Sequence, residues 1–109
     1  MNASIIDGLS STVNRNQAIY IVNGKIKEIQ AVSGWTAYPP NVKIIDLKGQ
    51  YVMPGMIDCH VHLRDMGAAK RALLSGVTTA RSMGVDHFMD VGMRELGKSG
   101  KVDIPEIIA

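Results

Sequence analysis

Two histidines separated by one residue, His60 and His62, with Asp58 two positions earlier, are the side chains in this sequence best suited to chemistry. They lie in Pro54-Gly55-Met56-Ile57-Asp58-Cys59-His60-Val61-His62-Leu63, which reads as a short buried strand. Strand side chains alternate between faces, so Asp58, His60 and His62 are expected on one face and Ile57, Cys59, Val61 and Leu63 on an apolar one. Two imidazoles aimed into one pocket from a rigid strand make a natural pair of metal ligands. The plainer reading is a pair of core histidines satisfied by hydrogen bonds. Two imidazoles also leave a tetrahedral ion half-ligated, so the pair is only part of a site. Cys59, the single cysteine, falls on the apolar face and reads as a small buried hydrophobe; alone it excludes an intramolecular disulfide framework.

The elements that must position this strand come in two styles. Before it the chain is all β. Ala3–Gly8 is a strand candidate closed by Asp7-Gly8, and the Ser-, Thr- and Asn-rich stretch from Leu9 to Asn16 reads as a loop. Ala18–Val22 and Lys25–Ile29 flank Asn23-Gly24, the sequence signature of a hairpin with a type I′ turn. Ala31 to Asn41 reads as an exposed connection, with Trp35 packing within it. Val42–Leu47 and Gln50–Met53 are two further strands around the turn Lys48-Gly49. After Pro54-Gly55 the pattern alternates. A short helix over Ala68–Ser75 ends at Gly76, and Val77–Arg81 is a buried strand. Asp86 is placed to cap a helix that starts near His87 and buries Met89, Met93 and Leu96, leaving Asp90, Arg94, Glu95 and Lys98 to water. Glu106–Ala109 opens a third strand. His87, at that helix start, reads as a solvated residue rather than a ligand. Strand, helix, strand, helix, strand implies parallel strands joined by crossovers, as in a doubly wound sheet or a (β/α)₈ barrel. A barrel needs about 250 residues, so the chain is expected to stop within its own fold.

Composition narrows the functional classes. Of the 109 residues, 46% are hydrophobic and 20% charged, which suits a globular protein rather than a disordered one. The 12 basic and 10 acidic residues are spread along the chain without a basic, aromatic-interleaved stripe, so nucleic acid is not an expected partner. No run approaches the ~18 apolar residues of a membrane span, and the N-terminus has no leader-like region. A cytoplasmic protein without a membrane partner is the expectation.

Four stretches resemble the N-terminal part of the amidohydrolase superfamily, in its imidazolonepropionase-like and prolidase-like branch. They are Ile6-Asp7-Gly8 with Val22-Asn23-Gly24-Lys25-Ile26, then Ile45-Asp46-Leu47-Lys48-Gly49, then the Pro54–Leu63 run, then Gly76-Val77-Thr78-Thr79-Ala80-Arg81. The resemblance implies an α/β protein: residues 1–53 as the N-terminal half of a composite β-sandwich, and 54–109 as the first β/α units of a metal-dependent (β/α)₈ (TIM) barrel. It makes His60 and His62 ligands of a divalent metal, usually zinc, one or two ions in the complete enzyme. The metal would activate a water to hydrolyse an amide, cyclic amide or peptide-like C–N bond. A carboxylated Lys or Glu, two later histidines and a general-base Asp complete such sites, and the strands that carry them are not in this sequence. The 109 residues alone are therefore expected to be inactive.

The sequence departs from the family at two places. The interval from His62 to Gly76 is short, and Arg81-Ser82 stands where relatives often carry Arg-Asp. His62-Leu63-Arg64-Asp65 resembles the start of dihydroorotases, whose Arg at this place grips the substrate carboxylate. Arg64 is accordingly a candidate substrate-binding residue if the strand extends to it, and otherwise a loop-surface Arg. The expected partners are a small-molecule amide or peptide-like substrate and, for the full-length enzyme, further copies of itself in a homo-oligomer. A non-catalytic truncated product or β-rich interaction module is the alternative from a different class.

Overall fold

Asn23 and Gly24 both take positive φ, 50° and 73°, as a type I′ turn demands. They join β2 (Asn14–Val22) to β3 (Lys25–Ala31), paired antiparallel from Gln17 opposite Ala31 to Val22 opposite Lys25. The computed structural model describes every residue from Met1 to Ala109. It divides into two units, Met1–Pro54 and Gly55–Ala109.

In the first unit β2 begins inside the stretch expected to be loop. The reason is backbone pairing: β1 (Ala3–Ile5) runs antiparallel to it, with Ala3 opposite Gln17 and Ile5 opposite Asn14. A strand that finds a partner tolerates polar side chains on its exposed face. β4 (Tyr51–Val52) lies parallel to β1 on the other side, giving the order β3-β2-β1-β4.

The strand expected over Val42–Leu47 does not form. Its groups are engaged one at a time by the N-terminus and a turn instead. The Met1 ammonium donates to the Ile45 carbonyl at 2.6 Å, and the Leu47 amide donates to Met1 O at 2.9 Å. Asp46 Oδ1 accepts from the Lys48 amide at 2.9 Å and from Asn2 Nδ2 at 2.8 Å. These two donors, the Lys48 amide first, hold the Asp46 carboxyl below the ordinary carboxylate range. Trp35 packs within its connection as expected, edge-on to Tyr20 and stacked on Tyr38, each with centroids 5.6 Å apart.

The second unit alternates as the sequence indicates: β5 (Met56–Val61), α1 (Met66–Leu74), β6 (Val77–Ser82), α2 (Met89–Lys98) and β7 (Glu106–Ile108). The three strands are parallel in the order β5-β6-β7, so this is a mixed α/β fold. Its core is Leu63, Ala69, Ala80, Met93 and Ile107, with Val61, Met66, Val77 and Ile104 packed around them. Asp65 caps α1, its carboxylate accepting the Ala68 amide at 2.7 Å. Gly76, at φ +97°, follows the helix end and its amide bonds Leu73 O at 2.9 Å. Gly55 is required by proximity rather than by a turn: a Cβ there would lie 2.1 Å from Thr78 Oγ1.

Helix α2 differs from expectation in both start and facing. Asp86 makes no capping bond. His87 and Phe88 both adopt left-handed conformations, φ 57° and 54°, so the chain turns through Asp86–Phe88 before the helix begins at Met89. The buried stripe differs as well. Asp90 is 8% and Met93 3% exposed, whereas Met89 and Leu96 are exposed. A glycine on that stripe explains the choice. At Gly97 a Cβ would stand 3.2 Å from Ile104, so the backbone approaches closely there. No helix of the chain is long and apolar enough to cross a membrane.

Candidate metal centre

A strand ending at Val61 delivers the two histidines at its C-terminal end, where β5 gives way to the loop before α1. Val61 and Leu63 pack into the helix-covered core, whereas His60 and His62, their neighbours in sequence, lie outside it. Both imidazoles are exposed, their ring centroids 5.3 Å apart and their planes at 70°. Rings that share a tetrahedral zinc through one nitrogen each, at ~2.0–2.1 Å, have centroids roughly 5 Å apart. The centroid spacing of the pair matches that of two corners of such a site. No group of three or more His, Cys, Asp or Glu side chains comes together in the chain, so the other corners have no donors here.

The supports of the two rings differ. Pairing with β6 is irregular between Asp58 and Val61, and there Asp58 Oδ1 accepts the His60 amide at 3.0 Å. His62 is held by its ring: Nδ1 hydrogen-bonds the Met83 carbonyl. Met83 is itself fixed by its amide, which donates to Val61 O at 2.9 Å. Gly84 follows at φ +57°, with room for a Cβ only in contact with the His62 ring, 3.5 Å from Cε1. Met83 and Gly84 read as ordinary loop in the sequence. The signal that marks them is a glycine two residues past the end of a strand, where a positive φ lets the chain turn back on its neighbour.

One expectation needs correction. The apolar face Ile57–Cys59–Val61–Leu63 is not continuous, because the β5–β6 register shifts at Met56/Ile57 and again at Asp58/Val61. Ile57 is 67% exposed, and Cys59 is exposed rather than a buried hydrophobe. The helices pack on β6 and β7, which leaves that part of β5 uncovered. Arg64 meets the condition attached to its second reading. The strand stops three residues short of it, so strand alternation does not place it beside His62; it is exposed in the β5–α1 loop. At the end of β6, Arg81 is exposed, and the Ser82 hydroxyl is buried without a hydrogen-bond partner. His87 is exposed, as expected.

No family profile matches the chain. Among curated proteins, a dihydroorotase of Aquifex aeolicus is 44% identical over 66 residues, which is 61% of this chain and 14% of that protein. Among solved structures, an amidohydrolase superposes with a TM-score of 0.79 at 25% identity, covering 97% of this chain and 29% of that one. A putative prolidase from Bifidobacterium longum gives 0.74 at 27% identity, covering 99% and 28%. The chain thus spans about a seventh of the curated relative and under a third of each solved structure.

Proposed function

On the premise that the chain belongs to the amidohydrolase superfamily, whose N-terminal part it matches, we propose that His60 and His62 are the first two ligands of a hydrolytic metal centre. The ion is divalent, zinc by the preference of paired imidazoles. When bound, it would supply a polarised water for attack on a C–N bond of an amide, cyclic amide or peptide-like substrate. What these residues do is set the geometry: they offer two imidazoles from the end of one strand, 5.3 Å apart and outside the core. That juxtaposition carries the proposal. The remaining ligands and the general base would come from further β/α units of a (β/α)₈ barrel. The 109 residues by themselves, with two donors, are proposed to be inactive.

The test is metal analysis and hydrolysis by the product of the full reading frame that contains this segment. Zinc retained by the wild type and lost in His60→Ala and His62→Ala supports the proposal; equal metal content in all three removes it. A stop codon directly after Ala109 would favour the non-catalytic alternative. Zinc-dependent turnover by the 109-residue chain, abolished by His60→Ala, would contradict its proposed inactivity.

One observation favours a second reading within this class. The likeness to a dihydroorotase includes 44% identity over 66 residues, and His62-Leu63-Arg64-Asp65 carries an exposed Arg beside the histidines in sequence. On that reading Arg64 binds the carboxylate of a cyclic amide, two N–H groups matching two oxygens. Arg64→Lys in the full-length protein is then expected to raise KM for dihydroorotate while sparing an uncharged amide. An equal loss on both substrates counts against it.

A further inference from the structure

The two imidazoles are not equivalent, and the difference lies in which nitrogen is free. His60 is tied down through its backbone amide, and no hydrogen bond reaches its ring. His62 is tied through its ring, Nδ1 to the Met83 carbonyl. A carbonyl has no proton to give, so the hydrogen of that bond sits on Nδ1, and in the neutral ring the lone pair is then on Nε2.

We infer that Met83 is a positioning residue, its backbone carbonyl selecting the Nδ1–H tautomer of His62 so that Nε2 is presented as the donor. The inference rests on the metal-ligand reading for its purpose and deepens it. The carbonyl is held by a two-point clasp. The Met83 amide donates to Val61 O at 2.9 Å, and its carbonyl returns to the ring of the residue after Val61, so strand and imidazole are locked to the end of β6 together. Gly84 makes the turn possible. Its φ of +57° is one that side-chain-bearing residues adopt at a cost, and a Cβ there would rest in van der Waals contact with the His62 ring, 3.5 Å from Cε1 and 3.6 Å from Nδ1. Metal-binding imidazoles need the opposite nitrogen oriented in this way, and a backbone carbonyl does so without adding a charge.

Long-range ¹H–¹⁵N correlation spectra of the metal-free protein, taken above the range in which imidazole is protonated, read each tautomer directly. The expected result is an Nδ1–H to Nε2–H ratio at His62 about fivefold or more above that at His60, the bias that one neutral hydrogen bond supplies. Gly84→Ala is expected to draw the His62 ratio towards that of His60 and to leave His60 unchanged. Equal ratios in the wild type, or an Nε2–H majority at His62, overturn the inference whatever the variant does. The metal reading stands or falls separately, on metal content: a fixed tautomer together with a product of the full reading frame that retains no zinc supports the clasp and removes the ligand role.

Discussion

The two units of this chain solve the problem of burying a sheet in different ways. Residues 1–54 rely on local antiparallel pairing, and their sheet buries little: Ala3, Ile5 and Ala18 are covered, while Ile26 is 62% exposed and Ile21 and Ile29 are open to solvent as well. Residues 55–109 use parallel strands, which need helical crossovers, and those helices close a core over Ala80 and Ile107. Stability in the first unit should therefore reside in backbone and turn contacts, and in the second in packed side chains. The histidine pair belongs to the second kind of architecture, where a side chain can be aimed from a strand fixed by packing.

The largest test of this contrast is at the entrance to the second unit. Gly55→Val places a Cβ 2.1 Å from Thr78 Oγ1 and is expected to cost about 3 kcal/mol or more, seen as a drop in the urea midpoint of that unit. Met93→Ala, which empties a 3%-exposed core position, should cost about 3 kcal/mol. Its counterpart Ile26→Ala in the first unit should stay within about 0.5 kcal/mol. A comparable loss at both positions would erase the distinction. Asp65→Ala removes the cap of α1 and is expected to cost about 1 kcal/mol, with loss of helical ellipticity.

The smallest effect concerns three carboxylates held below their ordinary pKa. Asp7 is lowered chiefly by the Ser10 and Leu9 amides, Asp46 by the Lys48 amide and Asn2, and Glu95 by the Arg94 guanidinium and the Lys98 charge. A depressed folded pKa means that each contribution is present above the unfolded value and is lost as pH falls through the folded one. Salt separates the units. Raising ionic strength should move Glu95 back towards its ordinary value, because exposed ion pairs are screened, and should leave Asp7 and Asp46 nearly in place, because short hydrogen bonds to amides are not. Carboxyl NMR titration at two salt concentrations reads all three.

How much of this was legible in the sequence depended on whether the deciding interaction was local. Asn23-Gly24, Gly76 and the His60/His62 juxtaposition follow from the conformational needs of one or two residues, and each is found where expected. The buried stripe of α2 was misread because the apolar periodicity of Met89, Met93 and Leu96 competes with a close backbone contact at Gly97 that only the packed Ile104 reveals. Val42–Leu47 has strand-like residues, yet an N-terminus far away in sequence takes up its hydrogen bonds. Cys59 and Ile57 depended on a register shift that alternation cannot anticipate. Met83, the support of His62, was hidden for the plainest reason: a carbonyl has no letter in the sequence.

The two ways in which the histidines are held have a dynamic consequence. His60 is fastened to a carboxylate of its own strand and His62 to a carbonyl beyond the neighbouring strand. A fluctuation that parts β5 from β6 therefore breaks the one hydrogen bond that holds a ring, that of His62, while the backbone tether of His60 within β5 persists, and the 5.3 Å spacing of the rings is no longer fixed. Hydrogen exchange at the Met83 amide would report the same event.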